Sequence, residues 1–592
     1  MKPSKGILYG RATLQTLKYT LMEMIPVRTG KWIYVIPLTA FAVLLFVSLT
    51  IKDAMHALFT KWSYYFILFM LLTWGTYIAI FLNKSSFAAG LFLARSKKGI
   101  IMALILTAIT FLSVKPEFRV LSDETNLVSI SKSFSENRSA VNVTMGKYYY
   151  DDYNSLATVV PKRPLVFPFL ANILHTIFGY SVNNLYILNA MILFIFLCMT
   201  YMVSNRFLDE NSALSSQFFV ASVPIVAFSS TSAGFDMLST LFFFLSLISL
   251  FLFMKHRLPE YFSVLWLNLL VFSNIRYESF IFFIVIMVGL LIFGYIRIEL
   301  VKSTKNVIAL TPLFFLPFYW QSVLSQGKFE APPGTPVLGI GHFMNHTKTF
   351  LAKQLDFSFF LPYSNILHIL AFVLLAGFLF EVARKKISFE RDYQMHFAIF
   401  LLGALSLNLV IFLSHFLGNY DHPANARFFL VFAIACSLSP VFMKTFKRDI
   451  VDGKILLPLS VAVFLIYHPL AVEGRFMNQL TLPRDARMSY DFLEKAGEKN
   501  VMVIVDRPGQ FTVFNYGAIS FAHANSNKKI FINELERRLF SNIYVFQRIT
   551  YHNGEPAKDY KLDSDYVLET VEEMQLTATE YLRISRVAPE KG

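Results

Sequence analysis

The side chains best suited to chemistry fall into a few acid and base groups spread along the chain. Ser122-Asp123-Glu124 sets two carboxylates just after an apolar run that ends near Val114. Further on, Lys162-Arg163-Pro164-Leu165 sets two cations ahead of the apolar stretch LVFPFLANILHTIF, residues 165–178. An acid and a basic pair at one membrane face suit a reaction between an acceptor hydroxyl and an anionic lipid. The carboxylate takes the hydroxyl proton as general base, and the cations neutralise a phosphate leaving group. Plain solvation is the competing reading for an isolated acidic pair at a membrane surface. The basic pair in the same segment weighs against it.

Four further groups belong to the same inventory. Asp236, in Ser232-Ala233-Gly234-Phe235-Asp236, begins an apolar run, where a carboxylate is costly unless solvated or paired. It reads either as a site residue or as a cap on the helix that follows. Arg276 and Glu278 interrupt an apolar region, and charges at that depth face a cavity or one another. His422 and Arg427 lie in the segment Tyr420-Asp421-His422-Pro423…Arg427-Phe428 before another apolar run. An arginine there either forks onto a lipid phosphate or snorkels to the interface. His342 and His346 stand four apart, on one face of any helix, and with Asp123 or Glu124 would make a site for a divalent metal. Two histidines alone are a weak metal signal.

The elements that position these groups follow from composition. The chain has 592 residues, 63 of them Phe, with 55% hydrophobic and only 16% charged residues. Its apolar runs match the requirement of about 20 residues per membrane-crossing helix. About thirteen such stretches are predicted, near 32–51, 62–82, 100–114, 185–203, 213–229, 237–254, 261–275, 279–296, 306–323, 364–382, 394–416, 427–443 and 455–472. A single helix over 261–297 would be about 55 Å long, so the chain must turn near Arg276. The formal charge of +15 sits in short loops between spans, which is the positive-inside pattern and not a nucleic-acid surface. The clusters Arg95-Lys97-Lys98, Lys255-Arg257 and Arg384-Lys385-Lys386 place the N-terminus in the cytoplasm and the C-terminus outside. Lys2 and Lys5 precede no early apolar stretch with a small-residue cleavage site, so no cleaved leader is expected. Cys198 and Cys436 lie inside apolar runs and define no disulfide framework.

The predicted organisation has three parts. Residues 1–31 form a cytoplasmic amphipathic segment, with Leu14, Leu17, Leu21, Met24 and Ile25 at helical spacing. Residues 32–472 form the transmembrane region, with two long outward loops at 115–184 and 324–363. The first loop carries one helix beginning at Asp123-Glu124 and another after Pro164. The second reads as an ordered lid or a mobile flap. Residues 473–592 form a small extracytoplasmic α/β domain, with strands at Val501–Val505 and around Ile543–Arg548, a charged helix around Asn533–Arg538, and alternating stretches near 565–586.

The acidic pair opening the first outward loop, the Lys-x-Pro-Leu stretch and the apolar helix ending at Phe178-Gly179 together resemble the GT-C superfamily of integral-membrane glycosyltransferases. The resemblance is closest to the branch holding protein O-mannosyltransferases and the lipid A aminoarabinose transferase, and it spans roughly residues 100–445. It implies an all-α, GT-C-like polytopic fold and an inverting transfer from a polyprenyl-phosphate sugar donor. It also implies that Asp123 is the catalytic carboxylate, with Glu124 beside it, and that Lys162 binds the donor phosphate. Asp236 stands at the loop where the family has an aspartate. Arg427-Phe428 resembles the family's Arg-Tyr at the same helix start, so Arg427 joins the phosphate side. The sequence departs from the family's Lys-Pro-Pro-Leu by placing Arg163 at the first proline, which leaves open which cation meets the phosphate. Two additional helices also precede the loop.

The expected partners are therefore a polyprenyl-phosphate sugar donor, membrane lipid, and a glycan, lipid or protein acceptor, at a bacterial-type inner (plasma) membrane. No P-loop, dinucleotide fingerprint or Gly-x-Ser-x-Gly elbow is present, which fits a donor activated in advance. Two other classes compete: a polymerase or ligase of lipid-linked polysaccharide, and a transporter or flippase without covalent chemistry. Transporters place polar residues near the midplane in repeated halves. Here the polar residues gather at one face and no repeat is evident.

Overall fold

A computed structural model describes residues 32–84, 89–149, 152–161, 163–276, 278–317, 319, 335–354, 369, 373, 375–377, 379–380, 384, 392–420, 422–439, 453–475, 481–498, 500–552, 554–556, 560–563 and 566–588. The amphipathic segment 1–31, Lys162, and residues 324–334 and 355–363 of the second long loop lie outside them.

The chain is mostly helical. The first described elements are α1 (Trp32–Thr50), α2 (Lys52–Lys84) and α3 (Ala89–Ser113). The first long loop then supplies α4 (Leu121–Asn137), strands β1 (Asn142–Tyr149) and β2 (Asp152–Val159), and α5 (Val166–Phe178). Next come α6 (Asn183–Phe207), α7 (Glu210–Ala221), α8 (Pro224–Ser230), α9 (Asp236–His256), α10 (Pro259–Ser273) and α11 (Ser279–Ile292). Beyond them stand α12 (Ile340–Gln354), α13 (Asp392–Ser414), α14 (Leu430–Ser437), α15 (Gly453–Arg475) and α16 (Thr481–Ala496).

Among the described residues, five helices are long and apolar enough to cross a membrane, and the pair α7–α8, bent by 68°, makes a sixth if it is one span. The predicted count of about thirteen is thus met only in part. Several apolar stretches form helices too short to cross a membrane by themselves, among them Ser279–Ile292. The helices make a multi-pass membrane protein. Their outer faces carry exposed Phe46, Leu72, Leu112 and Ile292, the surface that lipid rather than water covers. Inside, polar contacts join helices. Trp74 donates its indole N–H to Asn268 Oδ1 at 2.8 Å, and Asn268 donates to Ser249 Oγ at 3.2 Å, tying α2, α10 and α9. The chain turns between α10 and α11 at residues 274–278, where the length argument requires it.

Both helices predicted in the first loop are present, but a β-hairpin lies between them. The 13 residues of α5 extend about 20 Å, too short to span. Its Val166, Phe167 and Phe169 are buried, and Phe169 packs against Tyr64 of α2 and Phe134 of α4.

The remaining strands are β3 (Met502–Ile504), β4 (Gly517–Ile519), β5 (Ile543–Thr550), β6 (Leu568–Gln575) and β7 (Glu580–Val587). They form one seven-stranded sheet with the hairpin, in the order β2-β1-β4-β3-β5-β7-β6. Strand β3 runs parallel to both β4 and β5, whereas β1 joins β4 antiparallel through Gly146 and Ala518. Two of the seven strands therefore come from the first loop. The alternation of residues 142–159 shows a pair of strands only once a distant partner is supplied, which a local reading lacks.

Candidate active site

The site is built on the first turn of α4. Glu124 fixes that turn. Its Oε1 accepts the backbone N–H groups of Arg119 at 3.0 Å and Val120 at 2.8 Å, two donors that a helix start leaves without partners. Its Oε2 accepts the N–H of Ala233 at 2.9 Å, so the same carboxylate ties α4 to the turn before α9. Asn189 of α6 holds that turn from the other side, donating to the carbonyls of Ser232 at 2.7 Å and Gly234 at 2.9 Å. A Cβ on Gly234 would stand 3.2 Å from both Asp236 Oδ2 and Ser232 Oγ, so the smallest residue lets the chain pass this close to the acids. Of the two neighbouring acids, Glu124 thus turns both oxygens to backbone N–H groups. Burial pushes its carboxyl up to about 7, against those three donors.

Asp123, one residue earlier, points into a cluster of charges. Its Oδ1 accepts from Arg163 and its Oδ2 from Arg427 Nη2 at 2.5 Å. Burial alone would raise this carboxyl, but the charges and hydrogen bonds of Arg163 and Arg427 outweigh it and hold it at about 2. Arg427 also reaches Asp236 Oδ2 with Nη1 at 3.5 Å. Asp236 Oδ1 in turn accepts Arg276 Nη1 at 2.6 Å, and Arg276 Nε pairs with Glu278 Oε1 at 2.5 Å. Asp236 is thus no plain helix cap: no side-chain cap bond forms at the start of α9, and both carboxylate oxygens face arginines. Arg276 sits among the rings of Phe235, Phe412 and Phe428, at 5.3, 5.6 and 5.4 Å from their centroids. Phe412 and Phe428 stack at 4.9 Å. This aromatic box holds one guanidinium by cation–π attraction and shields the cluster from water.

Residues scattered over more than three hundred positions thus meet in one alternating chain of acids and arginines: Arg163, Asp123, Arg427, Asp236, Arg276 and Glu278. Three predicted residues stand apart. His422 is exposed and has no side-chain partner among the described residues. His342 Nε2 donates to the carbonyl of Pro336 at 3.1 Å and His346 Nδ1 to that of Leu413 at 3.0 Å. Each ring is thereby turned to backbone, and among the described residues no three His, Cys, Asp or Glu side chains gather as a metal site. The His342–His346 pair with Asp123 or Glu124 is therefore not assembled.

Sequence reasoning missed Arg119, which is 1% exposed and locks the approach to α4. It donates to Glu117 at 2.7 Å, to the Lys115 carbonyl at 2.8 Å and to Thr231 Oγ1 at 3.0 Å. An arginine four positions before the acidic pair was the available signal. Glu117 also meets Arg487 of α16 at 3.2 Å. On the solvent side of α4 lies a cleft of about 390 Å³ between the helix, β1 and residues 507–510, lined by Ser122, Asn126, Asn142, Thr144 and Gln510 among others.

Residues 162–320 match the family model described as dolichyl-phosphate-mannose-protein mannosyltransferase, a segment that contains Arg163, Asp236, Arg276 and Glu278. The GT-C resemblance read from the motifs is thus also found over this part of the chain. No curated protein sequence matches the chain. Among solved structures, the chain is similar to ArnT from Cupriavidus metallidurans bound to undecaprenyl phosphate, at 12% identity and a TM-score of 0.42, over 84% of this chain and 99% of that one. It is also similar to the apo form of the Archaeoglobus fulgidus oligosaccharyltransferase, at 12% identity and a TM-score of 0.40, over 78% of this chain and 70% of that one.

Proposed function

We propose that this chain is an inverting glycosyltransferase that moves a monosaccharide from a polyprenyl-phosphate donor to a hydroxyl acceptor on the outer face of the membrane. The observation that carries the reading is Asp123, a buried carboxylate at the start of α4 with Arg163 and Arg427 on its two oxygens. An acid beside cations is what the reaction needs. The acceptor oxygen attacks the anomeric carbon as its proton passes to Asp123. The bond from that carbon to the phosphate oxygen breaks, and the arginines hold the charge that develops on the phosphate. Lys162 joins them on the phosphate side. Asp236, Arg276 and Glu278 keep Arg427 in place, and Glu124 positions Asp123 through the turn it caps. The mannosyltransferase family match over residues 162–320 supports the same chemistry. The acceptor extends into the cleft beside Ser122, and the sheet-bearing part of residues 473–592 helps to select it.

The test is release of polyprenyl phosphate from radiolabelled lipid-linked sugars by protein reconstituted in liposomes. Wild type should turn over at least one donor, and Asp123→Asn should lose transfer by about three orders of magnitude or more while still expressing and inserting in the membrane. Turnover by Asp123→Asn near the wild-type rate would remove the assignment. Bound lipid without any release from wild type would move the reading to a transporter.

A further inference from the structure

A base must have an oxygen lone pair aimed at the proton it takes. In this structure Arg163 holds Oδ1 and Arg427 holds Oδ2, so any lone pair that remains belongs to a carboxylate whose charge two guanidiniums already share, which makes it a poor base. The two arginines that would hold the donor phosphate are therefore already holding the base. Arg427 is also not saturated. It is 8% exposed, its Nε–H has no hydrogen-bond partner among the described residues, and its contact with Asp236 is long at 3.5 Å. A buried guanidinium N–H without an acceptor is costly, and a third anionic oxygen would satisfy it. Asp236 keeps hold of Arg427 from the far side and is itself anchored by Arg276 at 2.6 Å.

Resting on the glycosyltransferase reading above, we propose that Asp123 occupies, in the resting protein, the anion site that the donor phosphate takes during turnover. Phosphate oxygens draw Arg163 and Arg427 off the carboxylate. Asp236 retains Arg427 as it swings, and Asp123 is left with free oxygens facing the acceptor. The same guanidiniums thus serve two anions in succession. The base becomes competent only after the donor is bound, so an acceptor hydroxyl is not activated in an empty site. In the transfer step the acceptor O–H bond breaks toward Asp123 while the oxygen bonds the anomeric carbon. The electron pair of the carbon–phosphate-oxygen bond goes to the phosphate. When polyprenyl phosphate leaves, Asp123 gives its proton to water and closes on the two arginines again.

This makes an unusual demand on Asp123→Asn: the variant that loses catalysis should bind the lipid phosphate more tightly. The probe is undecaprenyl phosphate, titrated against the full chain in nanodiscs. Asp123→Asn should lower Kd by about tenfold or more. Arg163→Gln and Arg427→Gln should each raise Kd by a similar factor, and Asp123→Asn combined with Arg427→Gln should lose the gain. A Kd in Asp123→Asn equal to or weaker than that of a binding-competent wild type overturns the handover and leaves the enzyme reading standing. Absence of binding in wild type and all variants overturns the donor assignment itself. If Asp123→Asn loses cooperative thermal unfolding, the arginine variants decide. Unchanged Kd in both would mean that the arginines serve Asp123 alone.

Discussion

Asp123 and Glu124 are neighbours in sequence with opposite surroundings, and the difference can be measured. Burial raises the Glu124 carboxyl to about 7 from an ordinary 4.5, so the folded protein binds its proton more tightly than the unfolded chain. Its contribution to stability is complete below about pH 4.5 and is lost as pH rises through about 7. Asp123 runs the other way: held at about 2, it contributes above its ordinary 3.8 and loses that contribution as pH falls toward 2. The unfolding midpoint in detergent should therefore fall between pH 5 and pH 8. Glu124→Gln should flatten that slope while lowering the midpoint throughout, because its amide N–H₂ faces a backbone N–H. Leaving one buried donor without an acceptor costs about 1–3 kcal/mol. A slope unchanged in Glu124→Gln would assign it to another group. Residue types and motif positions made Asp123, Arg163, Asp236, Arg276 and Arg427 legible one by one. Their pairing was not, since Arg427 and Asp123 meet across 304 positions of chain. Nor was the role of Glu124, whose third partner, Ala233, lies 109 positions away.

At the scale of elements, the site depends on short connections between helices. The turn after α13 brings the chain back toward Arg427, and Gly418 is the tightest point in it. A Cβ there would stand 1.9 Å from the Phe412 carbonyl oxygen and 2.9 Å from that of His415. Both are backbone atoms, so no side chain can move aside. Gly418→Ala should displace the segment that carries Arg427, lower stability by about 2–4 kcal/mol and reduce transfer more than tenfold. Wild-type activity and midpoint in that variant would show that the turn does not set Arg427. The elements themselves were largely readable. Apolar runs located α2, α3, α6, α9 and α13, and simple length forced the turn between α10 and α11. The bend of 68° between α7 and α8 escapes a reading of 213–229 as one apolar span, although Pro224, which opens a new helix after Ser222-Val223, is the available signal.

At the scale of the molecule, the first loop and the C-terminal residues are one unit. Lys132 of α4, 4% exposed, donates to the Thr512 carbonyl at 3.2 Å and to Asn515 Oδ1 at 2.6 Å, with its ammonium 4.1 Å from the Tyr153 ring centroid. Lys132→Met keeps the length but removes the donor from both oxygens. It should cost about 2–3 kcal/mol and open residues 473–592 to limited proteolysis earlier than the helices. Equal protease resistance in both proteins would count against this link. The sheet also places a constraint on how the protein is made. Strand β1 emerges early in synthesis, yet its neighbour β4 is several hundred residues downstream. At ordinary translation rates the nascent hairpin waits tens of seconds with an unpaired edge. The helix that carries Asp123 and the strand after it meet their partners only when residues 512–519 arrive. Until those residues are made, Lys132 has neither of its oxygen partners and β1 keeps an open edge, so the first loop is finished by residues translated long after it.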